Sequence, residues 1–396
     1  MQILNEMKNL ALVVLILVIY SCANEKNQSV ATVDVELSSA PELKNLSELA
    51  TDIRYIPLET NPNSVMKFVN YLKVSDDKFY INTVLELLCF DKSGRFLYKL
   101  DQQGRGPKEY VYLSDFDINP GKNQVMVLTR GKLFFYNETD TGFRFSRQLD
   151  LKVQPSYCDF IPNEDNILLS FATASGENLY QCVGISPEGD TLFKRPNHNK
   201  FTRVSKVQMG FSIDNVINKS GDLMRVKNFL SDTMYTLSKD YKFTPFMILN
   251  TGGKGITPEF LANVPLPDNS GSNPMARFLM LSEILEVDRY LLHRHYFQGA
   301  GSWGVYDKEL GESSMFDSKK LLKDDIAGGI NIDPKFASNG MLYSWTDALT
   351  FKTFMSANST GTEELKNPER AAELKQLAAS IKEDDNHILI AITPKK

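Results

Sequence analysis

The chain has 396 residues, with 44 Lys and Arg set against 49 Asp and Glu and a formal net charge of −5. That mild acidity excludes the basic footprint non-specific nucleic-acid binding requires, and removing the N-terminus preserves it because Glu6 and Lys8 cancel. The 4 cysteines show no CxxC or CxxH spacing, which argues against a structural zinc site.

The first element is an apolar run, Leu10 to Tyr20, preceded by Lys8 and ended by Ser21-Cys22. Eleven residues at about 1.5 Å each reach only ~16 Å, short of the ~30 Å hydrocarbon core, so the run reads as a signal peptide. Met7 is an alternative start. The Ile19-Tyr20-Ser21-Cys22 end has the form of a lipoprotein cleavage site. Residues 1–21 are therefore expected to be removed and Cys22 lipidated, with 22–34 as lipidated Cys and tether and 35–396 as the folded body. Several acyl chains make such an anchor firm. Cys89, Cys158 and Cys182 then remain, an odd number in an exported chain. Cys89 and Cys182 sit within apolar strand patterns and read as small core residues, and no disulfide is expected.

Next comes "IRYIPLE" (Ile53–Glu59), a strand with no hairpin of its own. After it a repeat begins. "LELLCFDKSGRFLYKL" (Leu85–Leu100), "KLFFYNETDTGFRFSRQL" (Lys132–Leu149), "NLYQCVGISPEGDTLFKR" (Asn178–Arg195), "TMYTLSKDYKFTPFMIL" (Thr233–Leu249) and "WGVYDKELGESSMF" (Trp303–Phe316) each fold back on a polar turn. Gly94, Gly142 and Gly189 suit hairpin positions needing positive φ. The turns start at Asp91, Asn137, Ser186, Ser238 and Asp307, spaced 46, 49, 52 and 69 residues, the last interval holding an insertion at Thr251–Pro274. Another strand precedes each hairpin, and a still earlier one is expected before the first three at Val69–Ser75, Leu113–Pro120 and Tyr157–Asn163; before the second hairpin these are "LSDFDINP" (Leu113–Pro120) and "QVMVLT" (Gln124–Thr129). Four strands in 45–50 residues is the period of a propeller blade.

The sixth unit is irregular. "GMLYSW" (Gly340–Trp345) and "ALTFKTFM" (Ala348–Met355) are expected as strands. A helix follows, capped by Asn367 with Pro368 at its first position, and "HILIAIT" (His387–Thr393) ends the chain. The N-terminal strand is expected to pair with this last unit and close the ring, Pro57 suiting an edge. The reading is an all-β, six-bladed β-propeller of four-stranded antiparallel blades, closed by N- and C-terminal strands, with one short helix near the C-terminus. A β-sandwich would be oversized as one domain, and a β-helix would show shorter repeats and few hairpin turns.

"GRGPKEY" (Gly104–Tyr110), the preceding "FDKSGRFL", the early "LSELATDIRYIPLET" and the late "SIKEDDNHILIAIT" resemble the six-bladed β-propeller lipoproteins of Gram-negative anaerobes, relatives of NHL-repeat and TolB-like propellers. The resemblance runs from Leu46 to Thr393, with His387 in place of a more usual proline. It implies an exported, lipid-anchored propeller of the cell envelope, placed at the outer membrane, and it implies little about activity.

"GRGPKEY" would link the first two blades on the face where the channel opens. Arg105 offers a planar fork of donors to a ligand, or Arg105 and Glu109 lock neighbouring blades by an ion pair. Same-face logic adds the loops "FATASGEN" (Phe171–Asn178) and "YFQGAGSW" (Tyr296–Trp303). The candidate ligand-binding residues are Arg105, Lys108, Glu109, Tyr110, Arg130, Lys227, Asn228, His293, His295, Tyr296, Trp303 and Asp347. Trp345 lies nearby and reads as packing. Aromatic, amide and charged groups of this kind suit a sugar or peptide.

No GxSxG, P-loop or HExxH pattern appears, and "TGGKG" (Thr251–Gly255) lacks the setting of a phosphate loop. No catalytic residue and no resident cofactor is nominated. Three readings stay open: a monomeric, non-catalytic binding module for a glycan, peptide or partner protein; a hydrolase or lyase using a channel-bound calcium or zinc; and an envelope scaffold.

Overall fold

A computed structural model describes residues 30–36, 39–205, 215–265, 273–358 and 364–396. The leader and Cys22 lie outside the described residues. Six sheets are arranged as blades. The first consists of Tyr71–Val74, Lys78–Asn82, Leu87–Asp91 and Phe96–Leu100, and the second of Asp115–Asn119, Gln124–Thr129, Lys132–Thr139 and Gly142–Asp150. The third is Tyr157–Phe160, Ile167–Ser170, Tyr180–Ile185 and Thr191–Pro196, and the fourth Asn215–Ser220, Leu223–Asn228, Thr233–Leu237 and Phe243–Asn250. Met280–Glu286, Tyr290–Phe297, Ala300–Asp307 and Glu312–Asp317 form the fifth. In the sixth, Phe336–Ser338 is innermost, followed by Met341–Thr346, Ile388–Pro394 and, outermost, the N-terminal strand Ala50–Pro57. The expected ring closure is therefore present, with Ile53 opposite Ile392 and Pro57 on the outer edge opposite Ile388.

Alternation along a strand explains how the blades stack. Successive side chains leave opposite faces of a sheet, and in a propeller each face meets a different neighbour. On Gln124–Thr129, Val125 and Val127 pack toward the first blade with Tyr80, Cys89 and Phe116. Met126 and Leu128 pack toward the third with Cys158, Ile167 and Val183. Middle strands are covered on both sides and read as continuous apolar runs, whereas the outer Gly142–Asp150 alternates half-buried with exposed residues. Cys89, Cys158 and Cys182 are buried free thiols.

The turn glycines fall where expected, with φ of 88° at Gly94, 139° at Gly142 and 97° at Gly189. Each rests on the outer strand of the preceding blade: Gly94 on Pro57, Gly142 on Tyr98 and Gly189 on Leu149.

Two segments depart from expectation. Ala348–Ala357, expected as a strand over Ala348–Met355, is a helix. The Asp347 carboxylate accepts a hydrogen bond from the Thr350 N–H at 2.8 Å and caps it, and Ala348 and Phe351 pack inward. Ala31–Asp34, assigned to the tether, is instead a fifth strand lying parallel on the outer edge of the fourth blade, Ala31 opposite Met247. The helix Pro368–Ser380 begins as expected, the Asn367 side chain accepting from the Arg370 N–H at 3.1 Å. Arg370 also grips Asp52 with two donors at 2.9 and 2.8 Å, tying this helix to the closing strand. Among the described residues no helix is long and apolar enough to cross a membrane.

Candidate functional site

The six inner strands surround an axial channel. On one face, the link face, each inner strand begins; on the other, the turn face, it turns into the second strand. A cavity of about 400 Å³ opens on the link face, bounded by Tyr71, Asp115, Asn215, Arg294, Lys335 and Trp345. A larger one of about 710 Å³ opens on the turn face, rimmed by the turns around Asn119, Asn163, Gly221 and Asn339. Both include Lys73, Asp159, Ile217 and Phe336, so the two cavities meet at this waist.

Charge lines the waist. Lys73 Nζ lies 3.2 Å from Asp159 Oδ1 and 3.4 Å from Asp117 Oδ1. Lys219 Nζ bonds Asp117 Oδ2 and lies 3.4 Å from Asp159 Oδ1. These four side chains come from the inner strands of the first four blades, where an ionisable residue interrupts an apolar pattern: "NYLKVS", "SDFDINP", "YCDFIPN" and "NVINKSG". Backbone groups fix the acids: the Cys158 N–H donates to Asp115 Oδ2 at 2.8 Å and the Phe160 N–H to Asp117 Oδ2 at 2.7 Å.

Electrostatics set Asp117 and Asp115 apart. Burial raises the Asp117 pKa, but Lys219 and Lys73 outweigh it and leave the carboxyl below its usual range. Burial likewise opposes the charge on Lys73, and Asp117, Asp159 and Asp115 together hold its ammonium well above the usual lysine value. Asp115 has no cation in hydrogen-bond reach among the described residues, and burial pushes it up to about 7 against the pull of Lys73.

The opposite wall of the link-face cavity carries a second charged group. Arg294 pairs with Asp333, lies 3.3 Å from Glu283 Oε2, and stacks 4.7 Å over the Trp303 ring. Lys335 donates to the Trp345 carbonyl at 2.9 Å and lies 4.9 Å over that indole.

None of the residues nominated from sequence lines either cavity. The "GRGPKEY" corner does link the first two blades, but it is an outlying clamp. Tyr110 is fully buried, its hydroxyl 2.9 Å from the carbonyl oxygens of Leu85 and Leu100. Glu109 turns back to accept from the Gly106 N–H at 2.8 Å, which lays its carboxylate end against Gly104. Lys108 Nζ lies 5.7 Å over the Phe145 ring. Arg105 is exposed and forms no ion pair with Glu109.

Arg130 occupies an exposed turn with φ of 43°. Lys227 is buried between blades; its Nζ donates to the Asn228 carbonyl at 3.2 Å, and burial lowers its ammonium to about 8. Asn228 donates to Asn215 Oδ1 at 3.1 Å and so backs a channel residue. His293 and His295 share one face of their strand, as alternation predicts, but are buried between the fourth and fifth blades with ring centroids 5.6 Å apart. Tyr296 is exposed. Trp303 is fully buried, donating its indole N–H to Asp333 Oδ1 at 3.2 Å and thereby supporting the Arg294 pair. Asp347 is the helix cap already described. Among the described residues no three His, Cys, Asp or Glu side chains are grouped to hold a metal ion.

Two solved structures share this architecture. A candidate exported protein from Bacteroides fragilis superposes with a TM-score of 0.69 at 21% identity, over 92% of this chain and 99% of that one. A member of the DUF4221 family from Bacteroides vulgatus gives 0.52 at 10% identity, over 88% and 98%. No curated protein matches the sequence. The model of the domain of unknown function DUF4934 matches residues 30–393, and the chain belongs to that family.

Proposed function

We propose that this propeller is an exported, non-catalytic binding module that takes its ligand in the axial channel. The observation carrying the proposal is the channel: cavities of about 400 and 710 Å³ meeting at a waist of charged side chains from the inner strands. Sites for small ligands are concave, about 300–1,000 Å³, with a few convergent polar groups. Export draws support from the leader pattern and from the Bacteroides fragilis relative, described as a candidate exported protein. Lipidation at Cys22 and attachment at the outer membrane belong to the same proposal. So does a ligand that is a glycan, a peptide or a segment of a partner protein, with Asn228 and Trp303 holding channel residues from behind.

The test is binding of the chain from Cys22 onward to glycan and peptide arrays, with an Ile217→Trp variant that narrows the waist. Binding is expected to fall at least tenfold in the variant while its thermal unfolding stays cooperative. Unchanged binding would remove the channel as the site.

A second reading, hydrolase or lyase chemistry, rests on Asp115 alone, a channel carboxyl raised to about 7 and suited to donate a proton. Turnover of an array ligand that stops in Asp115→Asn would favour it over simple binding.

A further inference from the structure

We infer that the channel accepts a neutral, polyhydroxylated ligand, a sugar or the end of a glycan, on the waist formed by Lys73, Lys219, Asp117 and Asp159. This deepens the binding-module reading and rests on it. The charges at the waist are already matched, two ammonium groups against two carboxylates, each lysine lying within 3.4 Å of Asp159 and within salt-bridge reach of Asp117. An anionic or cationic ligand would have to compete with a partner of its own sign, and breaking a largely buried pair is costly.

Matched charge does not exhaust hydrogen bonding. An ammonium has three N–H donors and a carboxylate about four acceptor positions. Asp159 is only 4% exposed, lines both cavities, and its Oδ2 accepts no hydrogen bond among the described residues. Beside it, Lys73 and Lys219 each keep an N–H beyond their two carboxylate neighbours. A donor and an acceptor side by side suit a hydroxyl, which does both, and a pair of adjacent hydroxyls doubly so. Bonds to charged groups are also the stronger kind.

The surroundings fit the same ligand. Phe336 lines both cavities and offers a ring to the C–H face of a sugar, and Asn119, Asn163 and Asn339 place amides around the turn-face rim.

The test is calorimetric titration of the mature chain with maltose, cellobiose, lactose and chitobiose. Glucuronate, glucosamine and charged dipeptides serve as counterparts, beside an array of neutral and acidic glycans. At least one neutral glycan is expected to bind, and Asp159→Asn and Phe336→Ala are each expected to weaken it tenfold or more. Asp159→Asn keeps the side-chain shape and Phe336→Ala leaves the ion pairs intact, so a folding defect in one does not mask the other. Absence of binding by every neutral glycan overturns the inference. If acidic glycans or peptides bind instead, and Ile217→Trp abolishes it, the channel-binding reading stands without this one. If the bound ligands ignore Ile217→Trp, both fall.

Discussion

Asp115 and His293 are buried groups whose protonation pulls stability in opposite directions. Burial raises Asp115 from 3.8 to about 7, so between those values the folded chain holds a proton that the unfolded chain has released. Its stabilising contribution is complete below the lower value and is lost as pH rises through the upper, at about 1.4 kcal/mol per pH unit. His293 is fully buried with neither ring nitrogen bonded among the described residues, and burial lowers it from 6.5 to about 3. Between those values the unfolded chain binds a proton the fold refuses, so stability falls with acid at a similar rate. The two slopes overlap between 3.8 and 6.5 and offset each other. Asp115→Asn should therefore unmask acid sensitivity, and His293→Leu should leave a chain that loses stability toward neutral pH. Urea midpoints from pH 4.5 to 7.5 give the slopes; three parallel curves would show that neither group titrates as its burial demands.

Among the elements, hairpins and their turns were legible in sequence because they depend on local chemistry: alternation, a polar turn and a glycine. The helix Ala348–Ala357 was misread because Thr350, Phe351, Thr353 and Phe354 carry strand propensity. Its helical signal was present in Asp347 as a cap and in Ala348 and Phe351 at i, i+3 spacing. The nominated residues lie outside both cavities for a different reason. Loops were weighted over inner strands, although Lys73, Asp117, Asp159, Lys219 and Glu283 each put an ionisable residue inside a first strand. In this ring the charges carried by the innermost strands face the axis, whereas Lys227 on a second strand does not; which charges pair across the channel depends on ring geometry and could not be read. The glycine turns also carry inter-blade packing that sequence does not display. A Cβ on Gly94 would lie 2.1 Å from the Pro57 carbonyl oxygen, at φ of 88°. Gly311, at φ of 71°, has nothing within 4 Å. Gly94→Ala should cost roughly 2–4 kcal/mol, backbone strain plus overpacking, and Gly311→Ala about 1 kcal/mol from strain alone. Equal losses in chemical denaturation would mean that the first turn does not press on the closing strand.

At the scale of the whole molecule, the first described segment works as a belt across the last three blades. Ala31–Asp34 adds a parallel strand to the fourth blade. Pro41 and Leu43 then exchange backbone hydrogen bonds with Met315 on the outer strand of the fifth, at 2.9 and 2.7 Å. Ala50–Pro57 completes the sixth by pairing with Ile388–Pro394. Every one of these contacts joins residues more than 200 positions apart, so the belt can dock only once the C-terminal blades exist, a costly and late loop closure. Its parts are unequal. Losing the residues before Pro41 removes Val33 and Val35 from one apolar cluster but leaves the ring closed. Losing Ala50–Pro57 strips Ala50, Ile53 and Ile56 from two clusters and turns Ile388–Pro394, almost wholly buried, into an open edge. A chain beginning at Pro41 should therefore unfold in one cooperative transition at a lower midpoint than a chain beginning at Cys22. A chain beginning at Leu58 should lose that transition and elute as aggregates. Calorimetry with size-exclusion chromatography separates the outcomes, and a Leu58 chain that melts cooperatively as a monomer would show that the ring holds without its belt.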